Sequence, residues 1–197
     1  MNIQFFFPTA ICSVLDLELA DRMLPIANKY LNDKKYLTYT WGYKNTYTSD
    51  NGIERKEEFL DFGNKIKKYG SEYMMKLGYD LSDDEFEIFI FASEMHKGDT
   101  HRIHTHQNAI LSGVFYLSVP ENSADINFYD PRPFRKFVSY PVVQQTEATW
   151  ESVRFSPTKG LLLIWESWIE HEVPVNNSDD GRITLVFNMT RKQVDKK

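Results

Sequence analysis

Hydrophobic positions along this chain fall into two regimes. Up to Leu77 they recur at helical spacing; from Phe86 onward they form short β-prone runs cut by turn residues. Ile3 to Val14 is apolar and β-prone, with Pro8 marking an edge or kink, and predicts a first strand. Asp16 to Leu31 predicts a helix with Leu19, Met23, Ile26, Ala27, Tyr30 and Leu31 on one face and Asp16 as its cap. Asn32 to Ile53 is polar, aromatic and turn-rich, a long loop with a short strand around Tyr39 to Tyr43. A second helix runs from about Arg55 to Leu77. Its stripe is Phe59, Phe62, Ile66, Tyr69, Tyr73 and Leu77, and Gly78 stops it.

The strand series then begins. Phe86 to Met95, Ala109 to Val119 and Asp125 to Tyr129 read as strands, the last ended by Asp130-Pro131-Arg132-Pro133. Phe134 to Phe155 holds weakly patterned β-prone pieces; Leu161 to Trp165, Glu172 to Val175 and Ile183 to Met189 complete the set. The expected class is mainly β with flanking helices, a sandwich or barrel supported on one side by two N-terminal helices. Residues 1–197 read as a single domain, with helical support at about 15–78 and a barrel at about 84–190.

Composition narrows the partners. A net charge of -5 with no dense Lys/Arg stripe argues against a nucleic-acid backbone. The lone Cys12 excludes an internal disulfide and fits a reducing compartment. The N-terminal Phe run is short, broken by Pro8 and preceded by no basic residue. It is therefore read as neither signal peptide nor membrane span, and the cytoplasm is the expected compartment. The oligomeric state is left open.

Three of the five histidines lie within six residues, in His101-Arg-Ile-His104-Thr-His106. On an extended strand, His104 and His106 share a face and form half of a metal site. A chance surface cluster is the plain alternative, but no hydrophobic strand explains the placement, and the chain turns apolar immediately afterwards. The histidine downstream is His171, beyond the apolar run Gly160 to Trp165. His101, three before His104, is a substitute ligand of second rank, and Asp99 could supply a carboxylate or orient a ligand.

Parity divides the last strand. Ile183, Leu185, Phe187 and Met189 lie on one face, Arg182, Thr184 and Asn188 on the other with Val186 between. A sheet with one wet face gives the same pattern. The sharper reading is a pocket in which Arg182 and Thr184 grip a small carboxylate. Ser112 and Tyr116 share a parity on the Ala109 to Val119 strand and could serve that pocket.

Together, these segments resemble the iron(II)- and 2-oxoglutarate-dependent oxygenases, specifically a prolyl-hydroxylase-like group of bacteria and phages. The matching pieces are His104-Thr-His106, Leu111-Ser-Gly-Val-Phe-Tyr-Leu, Asp130-Pro-Arg132, Gly160-Leu-Leu-Leu-Ile with His171, and Arg182-Ile-Thr184-Leu-Val-Phe-Asn188. The resemblance implies a double-stranded β-helix (a jelly-roll or cupin-like barrel). It implies Fe(II) on His104, His106 and His171, and 2-oxoglutarate on Arg182 and Thr184, with Tyr116, Ser112 and Asn188 in the same pocket. No catalytic residue is implied beyond the metal ligands. The substrate would be a protein side chain or a small molecule. One departure stands out: where most of the superfamily has a carboxylate, this chain has His106, so three neutral imidazoles leave the metal one more positive charge. Two alternatives are a cupin-like three-histidine metalloprotein that does not use 2-oxoglutarate and a non-catalytic β-sandwich binding module.

Overall fold

A computed structural model of the chain describes residues 1–4, 6–47, 52–132 and 141–192. Among the described residues, ten strands form two sheets. The larger has the order β1-β8-β5-β10-β3-β2 and the smaller β4-β9-β6-β7, with every pairing antiparallel. The strands are β1 (Ile11–Leu15), β2 (Lys44–Asn45), β3 (Phe86–Met95), β4 (His101–His104), β5 (Leu111–Ser118), β6 (Ile126–Tyr129), β7 (Ser152–Phe155), β8 (Leu161–Glu166), β9 (His171–Val173) and β10 (Arg182–Arg191).

Both predicted helices form. α1 spans Leu17–Leu31 and α2 spans Glu57–Lys76. Asp16 caps α1 by accepting the Leu19 amide at 3.0 Å, and Gly78 follows α2 at φ 93, as expected of a left-handed stop. Their apolar stripes bury Met23, Leu31, Phe59, Phe62 and Ile66 against the outer face of the larger sheet, where Phe115, Leu185 and Phe187 lie. None of the described helices is long and apolar enough to cross a membrane.

The strand boundaries differ from the sequence reading in several places. The first strand starts at Ile11 rather than Ile3, past Pro8, where pairing with β8 begins. The expected strand around Tyr39 to Tyr43 is instead a short 3-10 turn, Thr40–Gly42, followed by the two-residue β2. Within Phe134 to Phe155 the described strand is Ser152–Phe155, and positions 133–140 lie outside the described residues.

Parity assigns the faces of the larger sheet. On β10 the odd residues Ile183, Leu185, Phe187 and Met189 pack beneath the helices. The even residues Arg182, Thr184, Val186 and Asn188 line a cavity between the sheets. A second apolar cluster joins the sheets beside it, with Val114, Leu163 and Trp165 from one and Ile126 and Phe128 from the other. Gly113 on β5 is required by packing: a Cβ there would meet the Phe187 ring and the Leu163 carbonyl oxygen well inside contact distance.

Candidate active site

The cavity, of about 370 Å³, is walled by β3, β5 and β10 on one side and by β4 and β9 on the other. His104 ends β4 and pairs with His171 at the start of β9. His106 lies past the strand, in the turn that follows, where its amide donates to the Ser167 carbonyl at 3.0 Å. The i, i+2 argument expects both imidazoles on one strand face; here one comes from the strand and the other from a pinned loop. The ligand atoms of His104, His106 and His171 all lie within 4.8 Å of one another.

The hydrogen bonds around the rings define what the cluster offers. His104 Nδ1 faces the Arg102 carbonyl at 2.7 Å and His171 Nδ1 faces the Ile169 carbonyl at 2.9 Å, so each Nδ1 carries the proton and each Nε2 presents a lone pair. His171 Nε2 stands 3.1 Å from His106 Nε2. Two nitrogens bound at about 2.1 Å to one metal, at a right angle, are separated by about 3.0 Å. Burial favours the neutral form throughout: it pulls His106 down to about 4 and His101 to about 3, and lowers His104 and His171 as well, neighbouring rings adding to the effect on all but His104. Neutral imidazole is the metal-binding form.

The second-rank candidate, His101, is closer to the site than its spacing suggests. A β-bulge between His101 and His104 sets the four residues His101–His104 of β4 against the three residues His171–Val173 of β9. The bulge stacks the two rings at 4.0 Å with 11° between planes, and the Tyr43 hydroxyl holds His101 Nδ1 at 2.9 Å. His101 lines the cavity but stands outside the ligand cluster. Asp99 accepts the His96 amide at 2.7 Å, closing a turn, and is not part of the cluster either.

Arg182 lies at the far end of the cavity and is 3% exposed. Its Nη1 donates to the Ala124 carbonyl at 2.7 Å, Nη2 to Met95 Sδ at 2.9 Å, and Nε has no partner. Both acceptors are uncharged, and no ion pair involving Arg182 occurs among the described residues. Burial lowers its pKa, with Tyr116, Tyr43 and the Asp125 carboxylate opposing that shift. A buried guanidinium without an anion is costly, and an arriving carboxylate would offset that cost. Thr184 follows on the same face. Tyr116 lies beneath the guanidinium at 5.6 Å, and its own burial raises its pKa, so the phenol remains a donor. Asn188 lines the cavity and accepts the Ser112 hydroxyl at 2.8 Å. Ser112 itself sits behind the wall, bonded to Ser167 at 2.7 Å as well, so it orients Asn188 and the His106 loop rather than facing the cavity.

From the sequence, Trp165 could either pack in the core or flank the cavity entrance. It is buried, yet its ring meets His171 edge-on at 4.8 Å and lines the cavity. Its place at the end of the apolar run Gly160 to Trp165 does not decide between the two. Trp168 is half-exposed, as expected of a rim residue.

Comparison with known proteins decides the family. The sequence profile described as "Putative 2OG-Fe(II) oxygenase" matches residues 90–188, half of the chain and all of the cavity-bearing strands from β3 to β10. The chain belongs to this oxygenase family. That membership selects the 2-oxoglutarate-dependent oxygenase among the three readings of the sequence. Solved structures agree on the fold. A Pseudomonas putida prolyl-4-hydroxylase aligns over 94% of both chains at 14% identity, with a TM-score of 0.63. A prolyl 4-hydroxylase from Phytophthora capsici aligns over 94% of this chain and 60% of its own at 12% identity, TM-score 0.60. The non-heme alpha-ketoglutarate-dependent carbocyclase SnoK of nogalamycin biosynthesis aligns over 92% and 80% at 11% identity, TM-score 0.61. The two facing sheets are thus the jelly roll expected from the sequence. No curated protein matches the sequence.

Proposed function

We propose that this oxygenase holds Fe(II) on His104, His106 and His171, anchors the far carboxylate of 2-oxoglutarate on Arg182 and Thr184, and hydroxylates a peptide side chain or a small molecule. The observation that carries the 2-oxoglutarate assignment is the buried guanidinium of Arg182, without an ion-pair partner among the described residues, on the wall of the same cavity as the histidines. The donor set also fits the metal, since two of the three imidazoles have Nδ1 engaged by a carbonyl and all three bring ligand atoms to one place.

Bound together, Fe(II) and 2-oxoglutarate would activate dioxygen, the oxidant: one oxygen atom would enter succinate as 2-oxoglutarate loses carbon dioxide, and the other would enter the hydroxylated substrate. The chain's own residues orient and shield. Arg182 pairs with a carboxylate through its planar fork while Thr184 adds a hydroxyl donor. Tyr116, kept protonated by burial, can donate a further hydrogen bond without adding charge. Asn188 is held by Ser112 through its carbonyl oxygen, which leaves its amide nitrogen to donate. Val114, Ile126, Trp165 and Val186 form the apolar part of the wall and exclude water from the reacting region. With imidazole in place of a carboxylate, the metal keeps its full double charge, which strengthens the hold on an anionic cosubstrate.

Succinate formation from 2-oxoglutarate in air, measured with and without added Fe(II), tests the assignment. Slow metal-dependent succinate release that vanishes in His171→Ala is the expected result. Failure to bind both metal and 2-oxoglutarate would overturn it.

A further inference from the structure

The mouth of the cavity is an aromatic wall built around Trp41. This ring packs against Tyr47 at 4.7 Å, His101 at 5.1 Å, Phe91 at 5.7 Å and Tyr43 at 6.1 Å, and all five residues line the cavity. Trp41 remains 45% exposed although it is at the centre of the cluster. Its backbone sits at φ 65, a left-handed conformation that is unfavourable for a bulky residue and persists only where surroundings impose it. The fully buried Asn45 imposes it. Its Nδ2 donates to the Thr40 and Tyr43 carbonyls at 2.8 Å each, and its backbone exchanges both hydrogen bonds with Thr38 at 2.8 and 2.9 Å. The loop is thus held by hydrogen bonds on both sides of Trp41, which lines the cavity and stays half-exposed.

An open aromatic wall accepts two kinds of ligand: a cation, through the ring quadrupole, or an uncharged ring or branched hydrocarbon, through apolar contact. The surrounding charges separate them. No Asp or Glu lines the cavity among the described residues. The carboxylates just outside are engaged: Glu94 by Lys44 at 2.6 Å, Asp99 by the His96 amide, Asp125 by Arg154 at 3.5 Å. The cationic partner inside is Arg182, whose field reaches both Tyr43 and His101. A substrate cation would meet that charge and, in the loaded enzyme, the metal's, while the carboxylates that act on this region, Asp125 on Arg182 and Asp99 on Tyr43, do so from outside the cavity lining. We infer that the Trp41 wall selects a substrate presenting an uncharged ring or branched hydrocarbon group and rejects one presenting an ammonium or guanidinium group. This inference rests on the oxygenase reading above, and its physical content is the sign of the discrimination at Trp41.

Choline and 3,3-dimethyl-1-butanol test it, being the same shape with and without a positive charge. Ligand-observed NMR titrations on protein loaded with Zn(II) and 2-oxoglutarate, which does not turn over, read both affinities. The neutral probe is expected to bind at least about tenfold more tightly than choline and to weaken about tenfold in Trp41→Ala, with Trp41→Phe keeping part of the difference. Choline binding as well as the neutral probe, neither probe binding, or indifference to Trp41→Ala would each overturn the inference. The same samples report 2-oxoglutarate affinity. Its absence in the unsubstituted protein would refute the assignment of the cosubstrate site while leaving the two-probe comparison readable. An unchanged value in Trp41→Ala shows that the variant folds.

Discussion

The two sheets of this oxygenase are built to different standards. In the larger sheet, β3 and β10 pair through ten consecutive residues without a shift, and helices seal the outer face. In the smaller sheet, strands run only three or four residues, and the pairing that positions His104 and His171 contains a bulge. Yet the cavity draws on both: Arg182 and Thr184 from the larger sheet, where β10 runs unshifted against β3 but shifts register against β5 at Ile183/Thr184, and His101, His104 and His171 from the smaller one. The lesson is a division of labour. On the proposed function, the long sheet would supply the carboxylate anchor and the short sheet would use a bulge and a loop to aim imidazoles that a regular ladder would point apart.

That division can be broken from either side. Phe187→Ala removes a fully buried ring beneath the helices and should cost about 3–5 kcal/mol in denaturant unfolding, more than any site substitution. His106→Ala, on a half-buried loop residue, should lower metal affinity by about 100-fold or more in a competitive chelator titration, with little change in thermal midpoint. Comparable destabilisation by the two would erase the distinction. Arg182→Met should weaken 2-oxoglutarate binding by about 1.5–3 kcal/mol in calorimetry, the usual size of a charge-assisted hydrogen bond, while leaving the ligand-free protein as stable or more so, because an uncompensated buried charge is removed.

A smaller effect follows from pH. His106 at about 4 and His101 at about 3 titrate below their unfolded value of 6.5. Between those values the unfolded chain binds protons that the folded one refuses, so the metal-free protein should lose stability as the pH falls from 6.5 towards 4. Thermal midpoints across that range, compared with a His101→Gln/His106→Gln double variant, would show a flatter slope in the variant.

Much of this was readable in the chain, for identifiable reasons. Helical periodicity set out both helices, because their stripes are long and the caps unambiguous at Asp16 and Gly78. Parity sorted the two faces of β10, because a regular strand has no other way to alternate. Parity misleads where the strand is irregular. His101 ranked low because i and i+3 diverge on an ideal strand, and nothing in His101-Arg-Ile-His104 announces the bulge. The loop holding Trp41 was equally hidden: its shape depends on Asn45 reaching back across five residues, and polar residues in a turn-rich stretch do not reveal which of them will be buried. Ser112 shares the parity of Tyr116 but is claimed by Ser167, a partner 55 positions away.

The central claim, that one cavity holds the metal on three histidines and the cosubstrate on Arg182, is tested most directly by anaerobic titration of Fe(II)-loaded protein with 2-oxoglutarate, following the visible metal-to-ligand charge-transfer band. The account requires a band that is absent in His171→Ala and needs a much higher 2-oxoglutarate concentration in Arg182→Met. No band with Fe(II) demonstrably bound, or an identical titration in Arg182→Met, would contradict it.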